Sequence, residues 1–185
     1  MNRPVWLLVV AAALAGLAAG LAVNLWLQQA PETPATTPAG EPEQEVIGEP
    51  RPGFTLPAPD GSERSIGEFD GDVVLINFWA TWCAPCVREV PALVETQAAL
   101  GERGLQVVGV ALDDAEPVRE FAAEHDINYP LMVGGRDAFD IGSDYGNARG
   151  VLPYTVLVDR DGVIRETHLG ALTHAQMIEL VEPFL

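Results

Sequence analysis

The chain has 185 residues, 48% of them hydrophobic, and 27 acidic against 10 basic side chains give it a formal net charge of −17. That length accommodates one core-forming domain of ordinary size once terminal segments are set aside, and not several. The basic residues are all arginine and form no cluster able to follow a phosphate backbone, so nucleic acid is not an expected partner; the acidic balance reads as a solvated surface.

The first stretch, MNRP, is followed by an uncharged run from Val5 to Leu27. At 1.5 Å per residue, about 23 residues span a hydrocarbon core of about 30 Å. A secretory signal carries an apolar run of only about 7 to 15 residues, and cleavage at Ala13-Leu14-Ala15 would leave an apolar tail on the product. Residues 1–27 are therefore expected to be an uncleaved anchor. Arg3 stands on one side, and Glu32, Glu41, Glu43, Glu45 and Glu49 stand on the other, which places the body outside the cytoplasm. Cysteines there work where disulfides persist. Residues 28–52, rich in Pro, Glu and Thr, read as a flexible linker. A tether of about 25 residues has a span of roughly 25–30 Å, so partners are membrane-bound or close to the membrane.

Residues 53–185 alternate strand and helix signals. FTLPAPDGSERSI (54–66) predicts a small hairpin. VVLINFWA (73–80) and LQVVGVAL (105–112) are near-continuous apolar runs, as expected of central strands covered on both faces. Between them Val90, Leu93, Val94 and Ala98 recur at helical spacing. The same spacing puts Val118, Phe121, Ala122 and His125 on one helix face, and Met177, Leu180, Val181 and Phe184 on another. These stripes read as core. YTVLVDRDGVIRETHLG (154–170) predicts a hairpin turning at Asp161-Gly162, and Thr173 with Gln176 forms a capping box that opens the last helix. The order is hairpin, then β-α-β-α-β-α, then β-β-α: an α/β fold with a mixed central sheet flanked by helices.

The only two cysteines, Cys83 and Cys86, stand in NFWATWCAPC (77–86), where a buried strand gives way to a helix. Cys83 falls at the helix N-terminus, where free N–H groups and the positive end of the macrodipole stabilise a thiolate. Pro85 suits the first turn, Cys86 points inward as the resolving partner, and Pro91 is expected to kink the helix. Trp79 reads as core and Trp82 as a wall of the site. As a structural staple, a disulfide closing so short a loop would contribute only about 2 kcal/mol. A zinc site would need His125, His168 and His174, none of them paired at ligand spacing, and Val87 stands where haem attachment needs histidine. No metal and no cofactor is expected. Redox exchange is the favoured reading of the pair, with a two-thiolate copper(I) module as the rival class and peroxide reduction lacking the upstream proline it requires.

With FTLPAPDG, VVLINFWATWCAPCVREVPAL and GVLPYTVLVDRDGVI, the chain resembles the thioredoxin superfamily over about residues 50–185. The nearest likeness is to the membrane-anchored TlpA-like branch, which includes reductases of cytochrome c maturation. The resemblance implies a thioredoxin fold with an N-terminal β-hairpin and an inserted strand and helix, here about 115–133. It also implies a cis proline facing the cysteines, at Pro153. The implied activity is thiol:disulfide oxidoreduction on protein disulfides, apocytochrome c leading, with electrons from a membrane thiol donor. Asn77 replaces the buried aspartate of thioredoxin. Asp114, near where some members of the branch carry an acid, has two readings: a base for Cys86, or a helix cap in company with Asp113. Leu152, before the proline, and Trp82 are the expected substrate-contacting residues.

Overall fold

The structure, a computed structural model, describes residues 46–185. The expected span Val5–Leu27 and residues 28–45 of the expected linker lie outside the described residues. Among the described residues, no helix is long and apolar enough to cross a membrane.

Strand β1 (Thr55–Pro57) and strand β2 (Glu63–Ser65) form the expected hairpin. A 3-10 turn at Ile66–Phe69 follows, opened by a capping box between Ser65 and Glu68. Strand β3 (Val73–Trp79) is buried at every position. It leads into helix α1 (Ala84–Leu100), strand β4 (Leu105–Ala111), helix α2 (Ala115–Glu124), strand β5 (Leu131–Val133) and helix α3 (Gly135–Asp144). Strand β6 (Tyr154–Val158), strand β7 (Ile164–Leu169) and helix α4 (His174–Val181) complete the domain. This is the expected order, and α2 with β5 occupies the expected insertion.

The main sheet runs β5-β4-β3-β6-β7, with β3 parallel to β4 and antiparallel to β6. Alternation along β3 divides the core in two. Val73, Leu75 and Trp79 pack with Cys83, Cys86, Leu93, Met177 and Val181 on one face. Val74, Ile76 and Phe78 pack with Ile66, Phe69, Ala138 and Tyr145 on the other. Asn77 lies in phase with the residues of the cysteine-bearing face, and this parity makes it part of the site.

Two boundaries differ from expectation. Residues 46–52, read as linker from their composition, belong to the folded body. Gly48 N–H donates to Ile164 C=O (2.7 Å), Ile164 N–H to Glu49 C=O (3.0 Å) and Arg51 N–H to Gly162 C=O (2.8 Å), while the Tyr145 hydroxyl donates to Pro52 C=O (2.5 Å). Backbone pairing on a strand edge needs no apolar side chains, which is why composition concealed it. On α1, Ala98 is exposed. The buried stripe is Cys86, Glu89, Val90, Leu93, Thr96 and Leu100. At about 3.6 residues per turn, Ala98 sits well round the helix from that stripe, and two of the true members are polar and therefore invisible to an apolar pattern. The helix continues through Pro91 as one element.

Gly109, beside Asn77 in the ladder, leaves room that a side chain would fill: an added Cβ would lie 2.6 Å from Leu131 Cδ2 and 3.1 Å from Trp79 Nε1. Overpacking of this kind typically costs about 1–3 kcal/mol. Gly109→Ala is therefore expected to lower the unfolding free energy by that amount, read as a lower denaturant midpoint at unchanged slope, and an unchanged midpoint would mean that β4 and β5 separate freely.

Candidate active site

The end of β3 and the start of α1 build the centre. Residues 80–82 carry the chain from the sheet to Cys83, the N-cap of α1, with Pro85 in the first turn where its missing N–H leaves nothing unpaired. Cys83 Sγ accepts from the N–H of Cys86 (3.4 Å), and the two sulfurs form the Cys83–Cys86 disulfide across a Cα separation of 5.2 Å. Cys83 keeps 7% exposure against 1% for Cys86, and Trp82 next to it is 69% exposed. Of the two cysteines, Cys83 is thus the more accessible, and the exposed Trp82 precedes it in the chain.

The turn before the cysteines is fixed by Asp113. Its Oδ2 accepts from the N–H (3.0 Å) and the hydroxyl (2.5 Å) of Thr81, and its Oδ1 from the N–H of Asp114 (2.9 Å). The loop after β4 is thereby tied to the strand-to-helix turn. Asp114 occupies the N-cap position of α2, but its side chain makes no capping bond and is exposed. The capping reading of its carboxylate is accordingly corrected: the neighbouring Asp113 is the bonded one, and it bonds across the loop.

The carboxylate buried beside the cysteines is Glu89, which the sequence reading passed over. It follows Cys86 by three residues, hence on the same helix face, and is 2% exposed. Its Oε1 accepts from Leu172 N–H (2.7 Å) and its Oε2 from Asn77 Nδ2 (3.2 Å), which also donates to Thr155 Oγ1 (3.0 Å). Burial pushes its pKa from 4.5 up to about 7, and the bonds from Leu172 and Asn77 offset part of the rise. Buried Tyr129 is shifted upward, first by its own burial and then by the charge on Glu89. The signal available in the sequence was the acid at three residues from Cys86. A glutamate in a helical stripe ordinarily marks a solvated face, so the signal is weak without the fold.

Leu152–Pro153 is a cis peptide bond, as the resemblance implied, and it precedes β6, whose Tyr154 pairs with Phe78 near the cysteine end of β3. Pro153 C=O accepts from Gly170 N–H (2.9 Å). Leu152 is half-buried against both core clusters, and its N–H and C=O have no hydrogen-bond partner among the described residues. The histidines are apart from this centre: His125 stacks on Phe121 (4.0 Å between ring centres) and His174 Nδ1 meets Thr96 Oγ1 (2.9 Å), while His168 lies in β7 opposite Thr155. Among the described residues, no group of three or more His, Cys, Asp and Glu side chains is arranged to hold a metal ion.

The Redoxin family model matches residues 47–180. The chain is 36% identical over 134 residues to the thioredoxin-like protein YneN of Bacillus subtilis, covering 70% of this chain and 75% of that protein. It is 29% identical over 143 residues to the thiol-disulfide oxidoreductase ResA of Bacillus thuringiensis, covering 76% and 79%. Among solved structures, a thiol:disulfide interchange protein of the thioredoxin family from Chlorobium tepidum superposes with a TM-score of 0.66 at 27% identity, over 73% of this chain and 94% of that one. The thioredoxin domain of a thiol-disulfide oxidoreductase from Bacteroides vulgatus gives 0.65 at 26%, over 75% and 96%.

Because the folded state of Glu89 holds its proton to about pH 7 and the unfolded chain releases it near 4.5, its contribution to stability is complete below pH 4.5 and lost as pH rises to about 7. The difference is on the order of 3 kcal/mol. Unfolding measured from pH 4 to 8 is expected to show this decline in the native protein and its absence in Glu89→Gln; parallel curves would mean that Glu89 titrates alike in the folded and unfolded chains.

Proposed function

The chain belongs to the Redoxin family and is a thiol-disulfide oxidoreductase, and on that premise we propose that it works as a membrane-tethered reductant of extracytoplasmic protein disulfides. The reduced enzyme attacks with the Cys83 thiolate on one sulfur of a substrate disulfide. That S–S bond breaks, a mixed disulfide forms, and the released substrate sulfur takes a proton. The Cys86 thiol then gives its proton to the Glu89 carboxylate and attacks Cys83 Sγ, displacing the second substrate sulfur. The substrate gains two electrons and the enzyme keeps the Cys83–Cys86 disulfide, the state described above. A thiol donor returns the pair to its reduced form.

The observation that carries this reading is the buried carboxylate one helical turn from the buried sulfur, with a pKa near 7. A base poised there is half-ionised at neutral pH, where it both accepts and returns a proton efficiently. We assign this role to Glu89 in place of Asp114, whose side chain is exposed. Leu152 and Pro153 hold the substrate: the unpaired N–H and C=O of Leu152 offer an extended chain one pair of backbone bonds beside Cys83, and Trp82 supplies an apolar wall. Val5–Leu27 anchors the protein and the segment after it tethers the domain on the extracytoplasmic side. Apocytochrome c, with a cysteine pair that must be reduced before haem attachment, is the leading substrate.

Trapping tests roles and direction together. Cys86→Ser should stop the reaction at mixed disulfides visible on a non-reducing gel and identifiable by mass spectrometry, while Cys83→Ser should trap little. Equal trapping by both would overturn the assignment. For the proton transfer, Glu89→Gln is expected to slow resolution by Cys86 roughly a hundredfold at pH 7, in the range typical of general-base catalysis, and Asp114→Asn to leave it within twofold. The reverse ranking would restore Asp114 as the base.

A further inference from the structure

Of the segment between α3 and Leu152, residues 147–151 form a closed loop whose closure depends on one side chain. Asn147 is 6% exposed; its Nδ2 donates to Val151 C=O (3.0 Å) and its Oδ1 accepts from Val151 N–H (3.0 Å). The carboxamide therefore pairs with Val151 as the backbone of a neighbouring strand would, using both its donor and its acceptor. Its own backbone is held as well: Asn147 N–H donates to Gly142 C=O (2.8 Å), and Gly150 N–H donates to Asn147 C=O (2.9 Å). The loop bends at Gly150, where φ is +61° and Phe139 Cε2 lies 2.2 Å from where a Cβ would stand, so only glycine fits.

We propose that Asn147 is a positioning residue for substrate, which closes this loop so that an incoming chain pairs at Leu152 and at no earlier residue. The proposal rests on the reading that the Leu152–Pro153 loop holds substrate. With the clamp in place, both peptide groups of Val151 are occupied and its side chain is turned outward, 43% exposed, while those of Leu152 stay open. Without it, Val151 offers a second pair of backbone groups one position earlier. A chain paired there would be displaced by about 3.3 Å and would present its side chains on the opposite face, so its disulfide would miss Cys83. Aspartate cannot replace the residue, since an ionised carboxylate accepts from Val151 N–H but donates nothing to Val151 C=O.

The test uses the full-length chain with insulin as the probe disulfide, reading kcat and KM, together with the pH profile of Cys83 alkylation by iodoacetamide in the absence of substrate. Because a chain paired at Val151 is bound but cannot react, Asn147→Ala is expected to lower kcat and KM together, about tenfold, with kcat/KM within twofold, and Asn147→Asp, of the same size, to lower both about threefold. The alkylation profile should be unchanged in both, because the clamp acts on substrate register and not on the sulfur. An unchanged KM in Asn147→Asp overturns the proposal even if the alanine variant fails to fold, and so does an alkylation profile that shifts along with KM. Pro153→Ala separates the two levels: if it raises KM while both Asn147 variants leave kcat and KM unchanged, only the clamp fails; if none of the three changes KM, the substrate role of the loop fails with it.

Discussion

A strand buried at all seven positions imposes most of this architecture. β3 has no polar face, so it must lie inside a sheet with other elements packed over both sides. The two cores follow from that requirement, as do the flanking places of β4 and β6 and the helices on either face. The strand also ends abruptly. Beyond Trp79 the chain leaves the sheet and enters α1 within a few residues, so the sulfur of Cys83 is delivered to a helix N-terminus beyond the end of the central strand, where anionic sulfur is stabilised.

Burial of β3 has a second consequence through its one polar residue. Asn77 is 1% exposed, and an unpaired carboxamide at that depth would cost more than most single contacts contribute. Its amide group is satisfied by Glu89 and Thr155, and Glu89 is satisfied in turn by the N–H of Leu172. Strand, helix and the segment before α4 are thus joined by a buried polar network that includes a residue one turn along α1 from Cys86. The same desolvation that makes the network demanding raises the Glu89 pKa toward neutrality. Packing and chemistry here have a single cause.

The opposite wall of the site is held by a different device. α3 ends near Tyr145, whose ring packs against Phe54 and Phe78, whose hydroxyl reaches Pro52 and whose C=O accepts from the Tyr154 hydroxyl (3.0 Å). This joins residues 46–54, α3 and β6 on the face away from the cysteines. The loop that follows Tyr145 and ends at Pro153 is therefore suspended between two anchored points, and the Asn147 carboxamide closes what remains free. Rigidity of the loop that carries Leu152 and Pro153 thus originates in the second core, on the far face of the sheet from the sulfurs.

The sequence by itself determined the element order, the hairpins, the caps of the last helix and the reactive pair. Those features rest on local physics: period-2 and period-3.6 burial, the turn at Asp161-Gly162, Ser or Thr at helix starts, and two cysteines at a strand-to-helix junction. Likeness to a known family supplied Pro153 and its cis bond, which residue statistics alone would not favour. Only the tertiary structure decided that Glu89 bonds Asn77 and Leu172 in the core, that Asp113 bonds Thr81 while the Asp114 side chain caps nothing, that Asn147 clamps Val151, and that residues 48–51 pair with residues 162–164 where β7 begins. In each case the deciding partner is a backbone group or a polar side chain brought close by folding. Hydrophobic patterning reports which residues leave water, but it is silent on which polar groups meet once they have done so.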